Sequence, residues 1–247
     1  SIHEGEMIEG ILHFAAYAYI GESIKYPLKY YKNNVGESIN LLNVVCNEEV
    51  IKKRKTHDPL PLVFSSTCAT YGIPKELPIT EDTPQNPINP YGKSKLMIEN
   101  IIKDLAIYSN LKSVILRYFN AAGASPDSSI GEDHTPETHL IPLVIEAALK
   151  SKEIRIFGND YATKDGTCVR DYIHVCDLAD AHVLAINSLE KKVSKSRGNE
   201  SSKGFCSIYN LGNGSGFSVK EILSITEKIS QKKIKSLISS RRIGDPA

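Results

Sequence analysis

Two rhythms of hydrophobic and polar positions alternate along this chain. Short apolar runs of strand character lie at residues 10–14, 61–66, 112–117, 153–157, 206–210 and, more weakly, 233–238. Between them, apolar residues recur at helical spacing over about 22–48, 91–107, 138–150, 177–189 and 218–230. In the second of these, Ile98, Ile101, Ile102 and Leu105 make one stripe, Asn89 offers a cap and Pro90 fits the first turn. The last opens on a capping box, Ser218 with Glu221, and places Val219, Ile222, Thr226 and Ile229 on one face. Strands and helices that alternate over the whole length predict an α/β fold with a mainly parallel sheet. Lys52–His57 and Lys191–Lys203 are polar, charge-rich and without apolar periodicity, so both are expected to be exposed loops. No internal repeat is present.

Composition narrows the function classes. With 247 residues, 41% hydrophobic and 24% charged, the chain can bury a real core in one large or two small domains. A net charge of +1, with no basic stripe or acidic tract, argues against a nucleic-acid or membrane partner. No apolar run approaches membrane-spanning length. The five cysteines, Cys46, Cys68, Cys168, Cys176 and Cys206, are scattered and form no Cys-x-x-Cys pattern. Neither a disulfide framework nor a metal site is indicated, and a reducing cytosol is the simplest compartment. Asn199-Glu200-Ser201 and Asn213-Gly214-Ser215 fit the glycosylation pattern by chance, and nothing resembles a signal peptide. The chain opens on Ser1 and reaches an apolar strand almost at once, so it is expected to be truncated at its start. It runs out on Arg241-Arg242-Ile243-Gly244-Asp245-Pro246-Ala247 with no closing element, and truncation is expected there too.

Candidate chemistry centres on Tyr91-Gly92-Lys93-Ser94-Lys95. Four residues make about one helical turn, so Tyr91 and Lys95 share a face, and the ammonium is expected to favour the phenolate. A tyrosine base near neutral pH needs a shift of about three units, on the order of 4 kcal/mol, more than one lysine supplies. A cationic cofactor ring beside the phenol would complete it. On spacing alone the signal is weak, because an exposed lysine beside a half-buried tyrosine reads the same way. Upstream, Phe64-Ser65-Ser66-Thr67-Cys68-Ala69-Thr70-Tyr71-Gly72 runs from an apolar strand into hydroxyl residues, where parallel sheets bind ligands. Gly212-Asn213-Gly214-Ser215-Gly216 follows a strand and opens a helix, but the dinucleotide fingerprint needs its last glycine at the position of Phe217. It is expected to be a structural turn, and the phosphate-cradling loop is missing.

Together these segments resemble the Ser/Thr, Tyr, Lys triad of the extended short-chain dehydrogenase/reductase family, and within it the nucleotide-sugar 4-epimerases. The resemblance rests on His13-Phe14-Ala15-Ala16, Gly21-Glu22-Ser23, Tyr30-Tyr31-Lys32-Asn33-Asn34, Asn89 to Lys95, Leu116-Arg117-Tyr118-Phe119-Asn120 and Asp165 to Val175, in family order over nearly the whole chain. It implies a Rossmann-type parallel sheet lacking its first strands, with a partial NAD-binding domain over 1–120 and a smaller, mainly nucleotide-sugar-binding domain over 121–247, the return of strands from the second to the first being left open. The activity implied is interconversion of UDP-glucose and UDP-galactose, within galactose metabolism, through a transient 4-keto sugar and bound NAD.

By the same resemblance Tyr91 is the catalytic base, Lys95 binds the nicotinamide ribose and lowers the tyrosine pKa, and Thr67 bonds the sugar 4-hydroxyl. Phe14, Ala15, Ala16, Asn33, Tyr118 and Phe119 are implied at the cofactor. Asn120, Leu140, Arg170, Tyr172, Arg242 and Asp245 are implied at the UDP-sugar, where guanidinium groups suit phosphate oxygens. The plainer reading of Arg170 is an ion pair with Asp171 or a neighbouring carboxylate, and His13 and His174 are read as structural. Related dehydratases carry a carboxylate just after the threonine; Cys68 and Ala69 cannot serve, which disfavours elimination. Pentose and N-acetylhexosamine substrates stay open, with Gly131 to Leu140 favouring the hexose enzyme. An inactive nucleotide-binding fragment is the reading of a different class. A homodimer through the helices at 91–107 and 22–48 is implied by the family.

Overall fold

The computed structural model describes residues 8–54, 58–195 and 203–242, with 190–195 described by backbone alone. Its strands are β1 (Ile11–His13), β2 (Leu62–Thr67), β3 (Lys112–Tyr118), β4 (Asn120–Ala122), β5 (Glu153–Phe157), β6 (Val169–His174), β7 (Phe205–Leu211), β8 (Gly216–Ser218) and β9 (Lys235–Ser239). Its helices are α1 (Ile20–Lys25), α2 (Pro27–Tyr30), α3 (Glu37–Val45), α4 (Glu48–Lys52), α5 (Pro90–Tyr108), α6 (Leu140–Lys150), α7 (Val175–Lys195) and α8 (Val219–Ser230). A π-helical turn, Tyr31–Gly36, joins α2 to α3, and a 3-10 turn, Cys68–Thr70, follows β2. Among the described residues no helix is long and apolar enough to cross a membrane.

The chain divides into two compact units. One comprises the chain up to Tyr118 together with Ala179–Leu211, and the other Phe119–Leu178 with the residues from Gly212 on.

In the first unit, four parallel strands run in the order β1-β2-β3-β7. Every residue of β2 is buried, as expected of a parallel strand covered on both faces. On one face, Leu42 and Val45 of α3 and Ile98 and Ile102 of α5 close over Leu62, Phe64 and Ile115. On the other, Ala185 and Leu189 of α7 cover Val63, Val114 and Leu116. Each fully buried aliphatic side chain of this kind contributes about 1.5–3 kcal/mol. The register sets Thr67 opposite Tyr118, so the ends of β2 and β3 arrive together.

The single helix expected over 22–48 is broken. Pro27 restarts it, and the π turn supplies an extra residue that lets Asn34, fully buried, bridge Tyr17 and α5. Helix α7 also runs to Lys195, into the stretch expected to be a loop, and the rest of that stretch to 202 lies outside the described residues, as do 55–57 of the other.

In the second unit, β4 and β6 pair in parallel, β8 joins β6 antiparallel, and β5 pairs with β9 in parallel. Helices α6 and α8 pack with β5 through Val144, Ala147, Ala148, Ile154, Ile156 and Leu223. The capping box forms as expected, but the buried face of α8 is shifted: Leu223 enters the core, while Ile229 is 78% exposed.

Candidate functional site

The site is built at the start of α5. Asn89 Oδ1 accepts the Gly92 N–H at 2.8 Å and Pro90 occupies the first turn, so Tyr91 lies at the helix entrance with Lys95 one turn on. A side chain at Gly92 would come within 2.5 Å of the Ala69 carbonyl, so glycine there lets α5 press against the 3-10 turn. That approach brings Tyr91 to the end of β2. Thr67 Oγ1 accepts the Ala69 N–H at 3.1 Å, capping the turn, and the Thr67 side chain is near enough to the Tyr91 phenol to lower its pKa.

Lys95 is buried. Its Nζ donates to the Ser65 carbonyl at 2.8 Å and lies 4.8 Å from the centre of the Phe64 ring. Burial penalises the cation and drives its pKa down to about 8, with the Glu99 carboxylate pulling the other way. Burial likewise raises Tyr91 above its ordinary value, the nearby Tyr118 phenol adds to this, and the Thr67 side chain opposes it. Lys95 turns its charge to a strand carbonyl, and burial favours the protonated phenol.

The depressed lysine pKa gives a stability signature. Between pH 8 and 10.5 the unfolded chain holds a proton on Lys95 that the folded chain has lost, so wild-type stability rises with pH across that window. A Lys95→Met variant lacks this rise, and the stability difference is expected to move by on the order of 3 kcal/mol toward wild type over that range. Urea unfolding at pH 7.5 and pH 10 measures it; parallel profiles would show that the lysine is not buried as a cation.

Around this group lie the residues expected at the cofactor. Phe14, just beyond β1, stacks on His182 of α7 with ring centres 4.6 Å apart, and Tyr118 meets the same imidazole edge-on at 6.2 Å. Ala15, Ala16 and Asn33 line a cleft with His13, Tyr17, Glu37, Ser38 and Leu41. His13 Nε2 bonds Ser38 Oγ at 2.8 Å and its pKa is lowered by burial and by Lys95, in keeping with a structural histidine.

Apart from Thr67, the described residues expected at the sugar nucleotide lie in the second unit. Asn120 faces Tyr172 across the β4–β6 pair, and its Nδ2 donates to the Asp171 carbonyl at 2.8 Å. Arg170 donates to the Val169 carbonyl at 2.7 Å. The Asp171 carboxylate accepts the backbone N–H groups of Asn213 and Gly214 at 2.7 and 2.9 Å, which makes the glycine-rich stretch a structural turn. Phe119 packs so close to Gly212 that a side chain there would meet its ring at 3.0 Å. Leu140 is the first residue of α6 and packs against the apolar core. Arg242 lies over the Phe157 ring at 4.0 Å, and Asp245 lies outside the described residues. His174 accepts the Cys176 N–H at 3.2 Å, and its ring fills the space beside Gly123.

Residues 1–212 match the NAD dependent epimerase/dehydratase family. The chain belongs to that family. Among curated relatives it is 50% identical over 244 residues to a UDP-glucose 4-epimerase of Streptococcus mutans and 49% identical over 243 residues to one of Lacticaseibacillus casei. Each alignment covers 98% of this chain and 67% of the relative, so the chain spans about two thirds of their length. Among solved structures it is similar to the UDP-glucose 4-epimerase of Brucella ovis in complex with NAD, at 44% identity and a TM-score of 0.83, covering 96% of this chain and 67% of that one. It is also similar to that of Bifidobacterium longum in complex with NAD+ and UDP, at 40% identity and a TM-score of 0.83, covering 98% and 67%. The four-stranded parallel sheet is thus the Rossmann-like sheet of the NAD-dependent epimerase family.

The residues present fit one side of a dinucleotide. An ammonium has three donors, and the hydrogen bond of Lys95 goes to a carbonyl, leaving donors for ribose hydroxyls without competition from a bonded carboxylate. The small side chains of Ala15 and Ala16 keep the neighbouring cleft open.

One part of the site escaped sequence reasoning. Glu99, one turn beyond Lys95, is fully buried and receives Arg117 Nη2 at 2.7 Å, Ser66 Oγ at 2.5 Å and Gln85 Nε2 at 3.0 Å. Arg117 Nη1 donates to Tyr71 at 2.8 Å, and the Tyr71 hydroxyl donates to Asn210 at 2.7 Å. This network ties α5 to β2, β3 and β7. The available signal was a charge inside an apolar run: Arg117 ends Val114-Ile115-Leu116, and Glu99 follows Ile98.

Proposed function

We propose that the protein interconverts UDP-glucose and UDP-galactose by inverting the sugar at C4, as part of galactose metabolism. The observation that carries this reading is the meeting of Thr67, at the carboxyl end of β2, with Tyr91 at the start of α5, and with buried Lys95 one turn behind it. Tyr91 takes the proton of the sugar 4-hydroxyl and returns it, and Thr67 holds that hydroxyl in line. Lys95 binds the nicotinamide ribose. When bound, NAD supplies the hydride acceptor and donor at C4 and, in its oxidised form, a positive charge beside the phenol. Burial holds Tyr91 protonated without such a charge, so proton removal is tied to a loaded site.

Phe14, Ala15, Ala16, Asn33, Tyr118 and Phe119 serve the cofactor in this reading. Asn120, Leu140, Arg170, Tyr172, Arg242 and Asp245 serve the nucleotide sugar. Neither Cys68 nor Ala69 offers a carboxylate for removing a second proton, which supports epimerisation over elimination. Five free thiols fit a cytosolic setting. The exposed Leu28 of α2, Val44 of α3 and Met97 of α5 support a homodimer through these helices, which sedimentation equilibrium at the mass of a monomer would remove.

The test is incubation of the purified protein and NAD with UDP-galactose, UDP-xylose and UDP-N-acetylgalactosamine in parallel. UDP-galactose is expected to give UDP-glucose fastest. Faster turnover of either other sugar would move the assignment to that substrate, and no turnover of any would leave a nucleotide-binding protein.

A further inference from the structure

Immediately before α6, four side chains of the second unit converge: Glu132, His134, Glu137 and His139. From their geometry we infer a binding site for a single divalent transition-metal ion, best suited to zinc. One ligand atom from each residue lies within 4.8 Å of all the others. His139 Nδ1 is 2.6 Å from Glu132 Oε1 and 2.8 Å from Glu137 Oε1, and His134 Nδ1 is 3.2 Å from Glu132 Oε1. The two shortest are hydrogen-bond contacts that an ion would have to spread, while His134 Nδ1 stands 3.2 Å from Glu132 Oε1 and 3.6 Å from Glu137 Oε2, on either side of the edge of roughly 3.4 Å expected of a tetrahedron with metal–ligand bonds of about 2.1 Å.

The donor set supports the same reading. Two imidazoles with two carboxylates match borderline ions such as zinc, whereas calcium and magnesium prefer oxygen alone. Both imidazoles present the same nitrogen, Nδ1, to one point, with ring centres 5.1 Å apart. Glu137 is already oriented. Its Oε1 accepts the backbone N–H groups of Thr138 at 2.6 Å and His139 at 2.7 Å, which leaves Oε2 3.6 Å from His134 Nδ1. Such supporting bonds are what fix a ligating carboxylate in metal centres. The imidazole side chains are 41% and 48% exposed and the carboxylates about 20%, so an ion can enter from solvent.

Four protein ligands make a closed, structural set. An ion there would pin residues 132–139 to the first turn of α6, where Leu140 packs into the core.

The test is titration of the full chain with zinc chloride against a chromophoric chelator, under reducing conditions. One equivalent is expected to bind with a Kd at or below micromolar. A His134→Ala/His139→Ala variant is expected to weaken it at least tenfold, whereas Cys176→Ser leaves it unchanged. Absence of a stoichiometric equivalent in the wild type, or equal affinity in the double variant, overturns the site. Should circular dichroism show that variant misfolded, Glu132→Gln decides: weaker binding supports the site and unchanged binding overturns it.

Discussion

Replacement of Arg117 by methionine is expected to cost roughly 3–5 kcal/mol of stability, the largest effect of any single substitution considered for this chain. Arg117 is 1% exposed and Glu99 0%, so removal of the guanidinium leaves a carboxylate with no route to water. The remaining partners, Ser66 and Gln85, offer neutral hydrogen bonds, and Lys103 stands 3.9 Å away. Lys103 offsets the charge only in part, at the limit of ion-pair range and with its side chain 34% exposed. The penalty belongs to the orphaned partner, so a Glu99→Leu/Arg117→Met double variant is expected to recover much of the loss. Urea unfolding of the three proteins at pH 7.5 checks this. A loss below about 1 kcal/mol for Arg117→Met would mean that the pair is hydrated, and the network would no longer explain how α5 is seated on the sheet.

Tyr91→Phe carries the second large effect. Without the hydroxyl no group at the end of β2 can exchange the sugar proton, and turnover is expected to fall by roughly a thousandfold, within the range of about 10² to 10⁴ for general acid–base groups. Affinity for the UDP moiety is expected to stay within about threefold, because the loss lies in the reacting state and not in binding. Steady-state rates with UDP-galactose, set beside calorimetric binding of UDP, separate the two. A variant that keeps more than a tenth of the wild-type rate would remove Tyr91 from its role.

Much of this protein was legible before any coordinates. The α5 helix was fully specified by Asn89, Pro90 and the isoleucine stripe, because capping, ring geometry and burial all act within a few residues of one another. The fully apolar runs gave the sheet strands for the same reason. The misses have physical causes. Strands β4 and β8 are three residues long, and β6, Val-Arg-Asp-Tyr-Ile-His, is half-buried and largely polar, so none shows an apolar rhythm. The break within 22–48 depends on Asn34 meeting Tyr17 and Ser94, partners up to 60 residues away.

The candidate site divides in the same way. Tyr91 and Lys95 were placed on one turn by spacing, but spacing does not say where an ammonium points, and the Ser65 carbonyl claims it. The Glu99–Arg117 pair was hidden because charged side chains are read as surface unless a partner is in view. The convergence of Glu132, His134, Glu137 and His139 depends on the fold of a loop, which no local rule fixes.

The central claim is that, while Tyr91 takes and returns the 4-hydroxyl proton, the same hydrogen leaves C4 as hydride and comes back to it within one site. Conversion of UDP-galactose deuterated at C4, followed by NMR of the product with the purified protein and NAD, tests this most directly. Full retention of deuterium at C4 of UDP-glucose, without net reduction of the cofactor, is the predicted result. Conversion with loss of the label to solvent, or no conversion by a protein shown to be folded, would contradict it.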